Sequence, residues 1–226
     1  MVKRKEKQQF FICREGECEE RYLDRLKKII NDSEGAKYFV DFQYGKIKDF
    51  SSLHKRPANV QSDYIFCFWD KEGEFCGDDH AFYKIFAELR KLNKMWNRKK
   101  IEPGYSHLCF ELWILLHRVD FNRFLSDKKQ YLKHLNEAYN TSYKTLREYK
   151  EKDNFCSLME TITLEDVFAA IRRADMIRQF HKRNQSVPHP VHETKPYTVY
   201  GTNPDLLIHD CIRFILETCG IKVPKS

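Results

Sequence analysis

The chain has 226 residues, a length that allows one domain or one domain with a helical appendage. A hydrophobic content of 42% excludes a disordered chain, and a charged content of 32% with no apolar run near the roughly 20 residues of a bilayer span excludes a membrane protein. Forty Lys and Arg residues against 33 Asp and Glu residues give a net charge of +7, which favours anionic partners.

The first half of the chain alternates short apolar runs with amphipathic patterns. Strands are predicted over residues 8–13, 38–44, 63–69 and 101–106. The third of them is apolar almost throughout, which is typical of a strand buried on both faces of a parallel sheet. Apolar residues recur at helical spacing from Glu17 to Ile30 and again over residues 79–95, so a helix is predicted after the first strand and after the third.

The second half of the chain has mainly helical patterns. Residues 108–117 are apolar almost all round, which predicts a buried helix, with a long strand as the alternative. Amphipathic helices are predicted over residues 127–140 and over residues 163–182, the latter with the spacing of a capping box. Residues 184–203 predict a surface loop, and Pro204 is expected to open a final helix.

These patterns predict the fold class α/β: a mainly parallel sheet flanked by helices, with a helical C-terminal half packed on it. We expect residues 1–120 to form the α/β core and residues 121–226 to form a helical extension that completes the same globular unit. Ligands of open α/β sheets bind outside the carboxyl ends of the strands, so residues that follow the strands are the first candidates for a binding site.

Acidic residues follow two of the predicted strands. Glu15 and Gly16 come directly after the first strand, and Asp70, Lys71 and Glu72 come after the third. Carboxylates aimed at one point suit Mg²⁺ or Mn²⁺, because these ions prefer oxygen ligands. The alternative is that the acids are ordinary turn or helix-capping residues.

Three further acids are candidates for the same site. Glu19 and Glu20 lie in the first turn of the first predicted helix, where they are metal ligands or only complement the helix dipole. Glu111 lies in the apolar segment 108–117, and an ionised acid there is costly unless it is paired, hydrogen-bonded or bound to a metal. The alternative for Glu111 is a structural acid bonded to a neighbouring backbone group or Arg.

Four segments resemble the RloB-like family. The first three are EGECEERYL at residues 15–23, FCFWDKE at residues 66–72 and YSHLCFELWILLH at residues 105–117. They are similar to the family's Glu-Gly before an acidic helix start, its Asp-x-Asp after an apolar strand, and its Ser-Asn-Pro-x-Phe-Glu-x-Trp-Leu-Leu-His. The pair Asn203-Pro204 resembles the family's carboxy-terminal Asn-Pro-Ser-Thr motif.

The resemblance implies a Toprim-like fold, the Mg²⁺-binding α/β domain of topoisomerases, primases and OLD-type nucleases. By this resemblance Glu15 matches the Toprim glutamate of acid–base chemistry or metal binding, and Asp70 and Glu72 match the metal-binding acidic pair. Glu111 matches a glutamate that the family keeps at the start of a buried helix. The resemblance also implies a role in bacterial abortive infection against phage, often beside a partner ATPase.

The chain departs from the family pattern at three places. Glu72 stands where the family usually has Asp, and its carboxylate lies one methylene farther out. His107 and Leu108 replace Asn-Pro, and Asp205-Leu206 replaces Ser-Thr in the last motif. We expect His107 to be a general base or a phosphate contact, because an imidazole titrates near pH 6.5, and the alternative is a plain loop residue.

Basic residues supply candidates for contacts with nucleic acid. Arg14 and Lys71 neighbour the acids, where they either neutralise a scissile phosphate or only balance the acidic charge. Arg98, Lys99 and Lys100 gather near Trp96, an aromatic surface on which an unpaired base can stack. A second basic group lies in residues 172–183, and either group has a solvated helix face as its alternative.

Other chemistries lack support in the sequence. Eight cysteines are scattered, several of them in apolar stretches, which favours a reduced cytoplasmic protein without a signal segment over a disulfide scaffold. There is no Cys-x-x-Cys pair of a zinc site and no phosphate-binding glycine loop. His189 and His192 in the proline-rich loop are a weak metal candidate.

The sequence and its resemblance together predict a metal-dependent nuclease that uses Mg²⁺ or Mn²⁺ in phage defence. RNA or tRNA is the favoured substrate, with DNA as the other candidate. The alternative is a non-catalytic nucleic-acid-binding or sensor subunit that regulates a partner ATPase. A homo-oligomer is a further candidate assembly, and no membrane partner is expected.

Overall fold

A computed structural model describes residues 5–55, 60, 62–72, 80–96, 98–184 and 197–224. Its four strands are β1 (Glu6–Arg14), β2 (Tyr38–Lys46), β3 (Tyr64–Lys71) and β4 (Lys100–His107). Its α-helices are α1 (Glu17–Asp32), α2 (His80–Met95), α3 (Glu111–Leu116), α4 (Tyr131–Tyr139), α5 (Leu146–Lys150), α6 (Lys152–Glu160), α7 (Leu164–Arg183) and α8 (Ile208–Thr218). Two 3₁₀ helices, Ile47–Lys55 and Lys128–Gln130, complete the described elements.

The strands form one all-parallel sheet in the order β2-β1-β3-β4, which confirms the predicted α/β class. The two inner strands are β1 and β3, whose apolar residues are almost all buried. In the register of the sheet, Arg14 of β1 lies beside Phe68 of β3, and Asp70 of β3 lies beside Ser106 of β4. The ends of β1, β3 and β4 therefore meet at one carboxyl edge.

Helices cover both faces of the sheet. Alternate side chains of a strand point to opposite faces, and accordingly Phe10 and Ile12 join one apolar core while Phe11 and Cys13 join another. The first core includes residues of α1 and of the helices from α3 to α8, whereas the second is closed mainly by α2. The helical C-terminal half therefore packs on the sheet, as the sequence predicts.

Two predicted helices are shorter than expected. The predicted helix over residues 108–117 begins only at Glu111, because Leu108 has a left-handed backbone with φ of 65° and its N–H bonds to the carbonyl of Lys71 at 2.8 Å. The final helix begins at Ile208, so the expectation that Pro204 opens it is wrong. Leu206 instead pairs with Ser106 in an antiparallel bridge along β4, which takes its backbone away from a helix.

The other predicted helices are present with small changes. Residues 127–140 form the 3₁₀ turn Lys128–Gln130 and then α4, and α7 begins with the predicted capping box between Thr163 and Asp166. Helices α5 and α6 have no counterpart in the sequence predictions. Most of the predicted loop at residues 184–203 lies outside the described residues, and so do Asp79, His189 and His192.

Two observations bear on the class of protein. Within the described chain, every helix is too short or too polar to cross a bilayer. The described cysteines, seven of the eight, are free thiols.

Candidate active site at the carboxyl edge of the sheet

The chain folds so that the acids after β1 and β3 meet. Because β1 and β3 are parallel neighbours, their ends lie side by side, and the carboxylate of Glu15 accepts a hydrogen bond from the backbone N–H of Asp70 at 3.0 Å. The side chain of Glu19 folds back close to Gly16, since a Cβ at position 16 would lie 3.0 Å from a carboxylate oxygen of Glu19. The first turn of α1 thus brings Glu19 back against the strand ends.

Glu19 and Asp70 sit in an environment that disfavours their charged forms. Glu19 is only 4% exposed, and burial together with the negative charges of Glu111 and Glu15 raises its pKa to about 7. Burial, followed by the charges of Glu19, Glu111 and Glu15, raises the pKa of Asp70 well above its ordinary value. We call Glu15, Glu19, Asp70 and Glu111 the acid cluster.

Glu111 is the deepest member of the acid cluster. It lies in the first turn of α3, is fully buried, and forms an ion pair of 2.9 Å with Lys150 of α5. Burial by itself would lower the pKa of Lys150, but the charge of Glu111 and a hydrogen bond to it raise that pKa above its usual value. This ion pair supplies the cation that a buried carboxylate needs.

A cleft of about 340 Å³ opens beside the acid cluster. Its acidic lining residues are Glu15, Glu17, Glu19, Asp70 and Glu72, and its basic ones are Arg21, Lys128 and Lys150. The acids outnumber the cations, so the cleft attracts a further positive charge. Glu72 stands on its rim, where it is exposed and pairs with Lys128 at 2.8 Å.

The structure places Glu20 and Arg14 in contact with each other instead of with the acid cluster. They form an ion pair, and Arg14 also donates a hydrogen bond to the carbonyl oxygen of Gly16 at 3.1 Å. The guanidinium of Arg14 lies 5.8 Å from the ring centroid of Tyr44. Arg14 thus holds the turn after β1, and Glu20 is its counter-ion.

Lys71 and His107 are buried at the ends of β3 and β4. Both are 0% exposed, they are register partners in the sheet, and Lys71 Nζ lies 3.0 Å from His107 Nε2. A phosphate outside the protein does not reach side chains in this position. We therefore leave these two residues out of the surface that we propose for nucleic acid.

The basic residues near Trp96 lie at the opposite edge of the sheet. Lys100 begins β4, and the strand of eight residues separates it by about 23 Å from the edge where His107 ends. Lys99 donates a hydrogen bond to the carbonyl of Ser62 at 2.7 Å, and Lys100 lies 3.8 Å from the ring centroid of Phe214. Binding of nucleic acid by Arg98, Lys99 and Lys100 stays a prediction, but such contacts do not share a phosphate with the acid cluster.

The three cations that line the cleft were not predicted from the sequence as site residues. Lys128 and Lys150 come from the helical half, 56 residues beyond Glu72 and 39 residues beyond Glu111, and no local pattern links them to these acids. Arg21 had a weak signal, because it follows Glu17 by one helical turn and pairs with it. Contacts across the fold thus complete the charge pattern of the cleft.

The donor set fits a partly hydrated divalent cation. Its donors are carboxylate oxygens, which are the ligands that Mg²⁺ and Mn²⁺ prefer. In the described chain no three members of the acid cluster bring one oxygen each within 4.8 Å of one another. Mg²⁺ commonly keeps several waters and binds through one or two carboxylates, so Asp70 with Glu15 or Glu19 is a sufficient set.

A different group of ligand-type side chains is close together in the part of the chain that the structure describes. Asp175 of α7 and His209 and Asp210 of α8 bring one ligand atom each within 4.8 Å. Arg213 donates a hydrogen bond of 2.6 Å to Asp175, and burial holds the pKa of His209 below its ordinary value. We interpret this group as a polar contact between α7 and α8.

A comparison with protein families identifies a related family. A family model described as RloB-like protein matches residues 10–209, a range that includes the whole acid cluster. The chain belongs to the RloB-like family. This membership confirms the resemblance seen in the motifs, and neither a curated protein nor a solved structure gave a match. The Toprim relationship of this RloB-like chain remains an expectation drawn from its motifs.

Proposed function

We propose that this RloB-like protein is a metal-dependent nuclease whose active site is the acid cluster. The observation that carries the proposal is the position of half-buried Asp70 and buried Glu19 beside Glu15 and Glu111, where desolvation and then the neighbouring negative charges raise the pKa of both residues. Strongly shifted acids in a cleft are typical of functional sites, because folding alone gains nothing from crowding them. The proposed cofactor is Mg²⁺ or Mn²⁺, held by Asp70 with Glu15 or Glu19.

A bound divalent cation supplies Lewis-acid stabilisation of the charge that develops on a phosphodiester and makes water more acidic. The chain's own residues hold the backbone at the site, exchange a proton and neutralise a phosphate of the substrate. Glu15 holds the backbone at Asp70 through its hydrogen bond, and Glu19 accepts or gives up a proton near neutral pH because its pKa is about 7. In this proposal Lys128, half exposed on the rim, leaves its ion pair with Glu72 to contact a phosphate of the substrate.

The proposed biological role is phage defence by abortive infection, with RNA or tRNA as the favoured substrate. Its support is membership of the RloB-like family. A partner ATPase belongs to the same proposal, as the component that would detect infection. Direct contact with RNA or DNA is supported by the net charge of +7.

A second candidate function is a nucleic-acid-binding or sensor subunit without catalysis. Two observations favour it: among the described residues no three members of the acid cluster bring one oxygen each within 4.8 Å of one another, and Glu72 is paired with Lys128. In such a subunit the acids repel phosphate, so their removal leaves binding unchanged or tighter. A catalytic site instead loses turnover when Asp70 is changed.

The first experiment incubates the purified protein with end-labelled single-stranded RNA, tRNA and DNA in Mg²⁺, in Mn²⁺ or in EDTA. We expect cleavage only with a divalent cation and a loss of at least about 100-fold in rate for Asp70→Asn. Asp63→Asn is the matched control, because Asp63 is 77% exposed and precedes β3 at the amino edge of the sheet. Equal rates for wild type and Asp70→Asn would reject the acid cluster as the active site.

A cellular experiment tests the case in which the enzyme is inactive until infection, which an assay of the purified protein would miss. Cells that express wild type, Asp70→Asn or Asp63→Asn are grown with and without phage, and new RNA and DNA ends are mapped by sequencing. The nuclease proposal requires protection or toxicity, with new ends, for wild type and Asp63→Asn only. If Asp70→Asn acts as the wild type does, the binding-subunit proposal replaces it.

A further inference from the structure

A second concave surface lies between helix α7 and the loop that follows α3. It encloses about 630 Å³. Its lining includes Phe121, Arg123, Arg173, Met176, Phe180 and Arg183, and we call this surface the α7 groove. None of these side chains belongs to the acid cluster, so the α7 groove is a separate feature of the molecule.

The α7 groove exposes large apolar side chains. Met176 is 43% exposed and Phe180 is 48% exposed, and they lie one helical turn apart on the same face of α7. The neighbouring face of α7 is packed in the core through residues such as Ile171 and Ala174. Adjacent apolar side chains that remain in water are typical of a binding surface.

The same face of α7 carries positive charge. Arg173 and Arg183 flank Met176 and Phe180 at helical spacing, and Arg123 comes from the opposite loop. Arg173 is held in place by hydrogen bonds to Asp120 at 2.6 Å and to the carbonyl of Leu116 at 2.8 Å. Three arginines against this one aspartate make an anion the electrostatically favoured occupant.

Cations beside an exposed aromatic ring match one class of ligand better than others. Proteins bind single-stranded nucleic acid by pairing phosphates with Arg or Lys and by stacking unpaired bases on aromatic side chains. A duplex keeps its bases stacked inside, so it cannot use Phe180. The composition of the α7 groove therefore favours a single strand.

The α7 groove and the acidic cleft are joined by a short segment. Arg123 lines the groove and Lys128 lines the cleft, and the five residue steps from one to the other span at most about 18 Å. Lys128 reaches the cleft rim through its ion pair with Glu72. A strand of several nucleotides held in the groove is thus long enough to extend toward the acid cluster.

We propose that the α7 groove binds single-stranded nucleic acid and leads it into the cleft, which makes unpaired RNA or DNA the substrate class. This inference rests on the proposed nuclease function for the direction of the strand but not for binding itself. Phe180 stacks on a base, and Arg123 and Arg183 contact phosphates.

The test measures fluorescence anisotropy of labelled 12-nucleotide RNA and DNA, single-stranded and annealed, with the full chain in EDTA so that no cleavage occurs. We expect tighter binding of the single strand and at least about fivefold weaker binding for Phe180→Ala. Phe180→Tyr keeps an aromatic ring and retains the wild-type affinity. Arg183→Ala lowers the dependence of log affinity on log salt concentration by about 0.7.

Phe39→Ala is the matched control, because Phe39 is also an exposed aromatic residue, at 41%, but lies on strand β2. The inference is overturned if Phe180→Ala binds as the wild type does, if Phe39→Ala weakens binding equally, or if duplex binds as tightly as a single strand. If the α7 groove binds a protein instead of nucleic acid, Phe180→Ala binds the labelled strands as the wild type does, and the inference is overturned.

The two proposals fail separately. If cleavage depends on Asp70 while Phe180→Ala binds normally, the nuclease proposal stands and the assignment of the α7 groove is wrong. If binding depends on Phe180 while no divalent cation supports cleavage, the groove assignment stands and the nuclease proposal is wrong.

Discussion

Two aspartates near the carboxyl edge of the sheet, Asp205 and Asp70, have opposite electrostatic surroundings. Asp205 is 0% exposed and is surrounded by donors: Arg178 at 2.5 Å, the backbone N–H of Tyr200 at 2.8 Å, and the hydroxyl of Tyr105. The ion pair also raises the pKa of Arg178, although burial by itself would lower it. The charge of Asp205 is thus matched within the protein.

Asp70 is surrounded mainly by other acids. Desolvation and the charges of Glu19, Glu111 and Glu15 raise its pKa, and Lys150, whose charge acts in the opposite direction, is paired with Glu111. A buried acid that serves the fold is given donors, whereas a buried acid that serves a function is left in need of a proton or a cation. Four predictions test this difference, from the largest expected effect to the smallest.

The largest effect on stability is expected for Asp205, the aspartate whose charge is neutralised within the protein. Asp205→Ala leaves Arg178 buried without its partner and removes the acceptor of Tyr105, so the free energy of unfolding should fall by about 3 to 5 kcal/mol. Denaturant unfolding followed by circular dichroism measures the change. Asp120→Ala removes a similar Arg–Asp pair, but Asp120 is 77% exposed and the loss there should stay below about 1 kcal/mol. Equal losses would remove the basis of the comparison.

The second prediction concerns Glu19 in the acid cluster, where a substitution should raise the free energy of unfolding instead of lowering it. Glu19 has a pKa of about 7 in the folded state against an ordinary value of 4.5, so the folded protein binds its proton more tightly than the unfolded chain does. The resulting stability is present below pH 4.5 and is lost as the pH rises through 7. Between pH 4.5 and pH 8 in EDTA, Glu19→Gln should gain about 2 to 3 kcal/mol relative to wild type.

Variants are compared at each pH because buried histidines oppose this effect. Burial lowers the pKa of His117 to about 4, so its contribution is lost as the pH falls from 6.5 toward 4. That contribution is common to wild type and Glu19→Gln and cancels in the difference. A difference that does not change with pH would show that the pKa of Glu19 is not raised in the folded protein.

The third prediction concerns the stabilisation of the acid cluster by a divalent cation instead of by protons. At ten times its dissociation constant, Mg²⁺ or Mn²⁺ should stabilise the wild type by about 1.4 kcal/mol, seen as a rise in Tm. Asp70→Asn should lose this rise, and Asp63→Asn should keep it. If Asp70→Asn is stabilised as the wild type is, the cation binds elsewhere and the acid cluster does not need it.

The smallest effect is expected at the cleft rim. Glu72 is 61% exposed and Lys128 is 50% exposed, so Glu72→Ala or Lys128→Ala should change the free energy of unfolding by less than about 1 kcal/mol. Water screens this pair, in contrast to the buried pair of Asp205 and Arg178. A loss as large as that of Asp205→Ala would mean that the rim, too, serves mainly the fold.

Much of the α/β architecture could be predicted from the sequence. All four strands and the helix after β1 follow from apolar periodicity, because a pattern of alternate or near-continuous apolar residues depends only on neighbours along the chain. The pairing of Glu15 with Asp70 was predictable as well, since parallel strands place their ends together. Proline at position 204 misled the prediction because its segment pairs with β4 instead of starting a helix.

The ion-pair partners of the charged residues could not be predicted from the sequence. Lys150, Lys128 and Arg178 come from helices far along the chain, and nothing local shows which acid each of them meets. Lys71 and His107 were candidates for contacts with phosphate from the sequence, but the fold buries both.

The sequence by itself determined the family, the sheet and the acids at its carboxyl edge, because motifs and periodicity are properties of neighbouring residues. Only the tertiary structure decided that Asp205 is neutralised by donors while Asp70 faces other acids. The physical reason is that a pKa and an ion pair depend on distance through the folded protein and on exclusion of water, and both are set by packing.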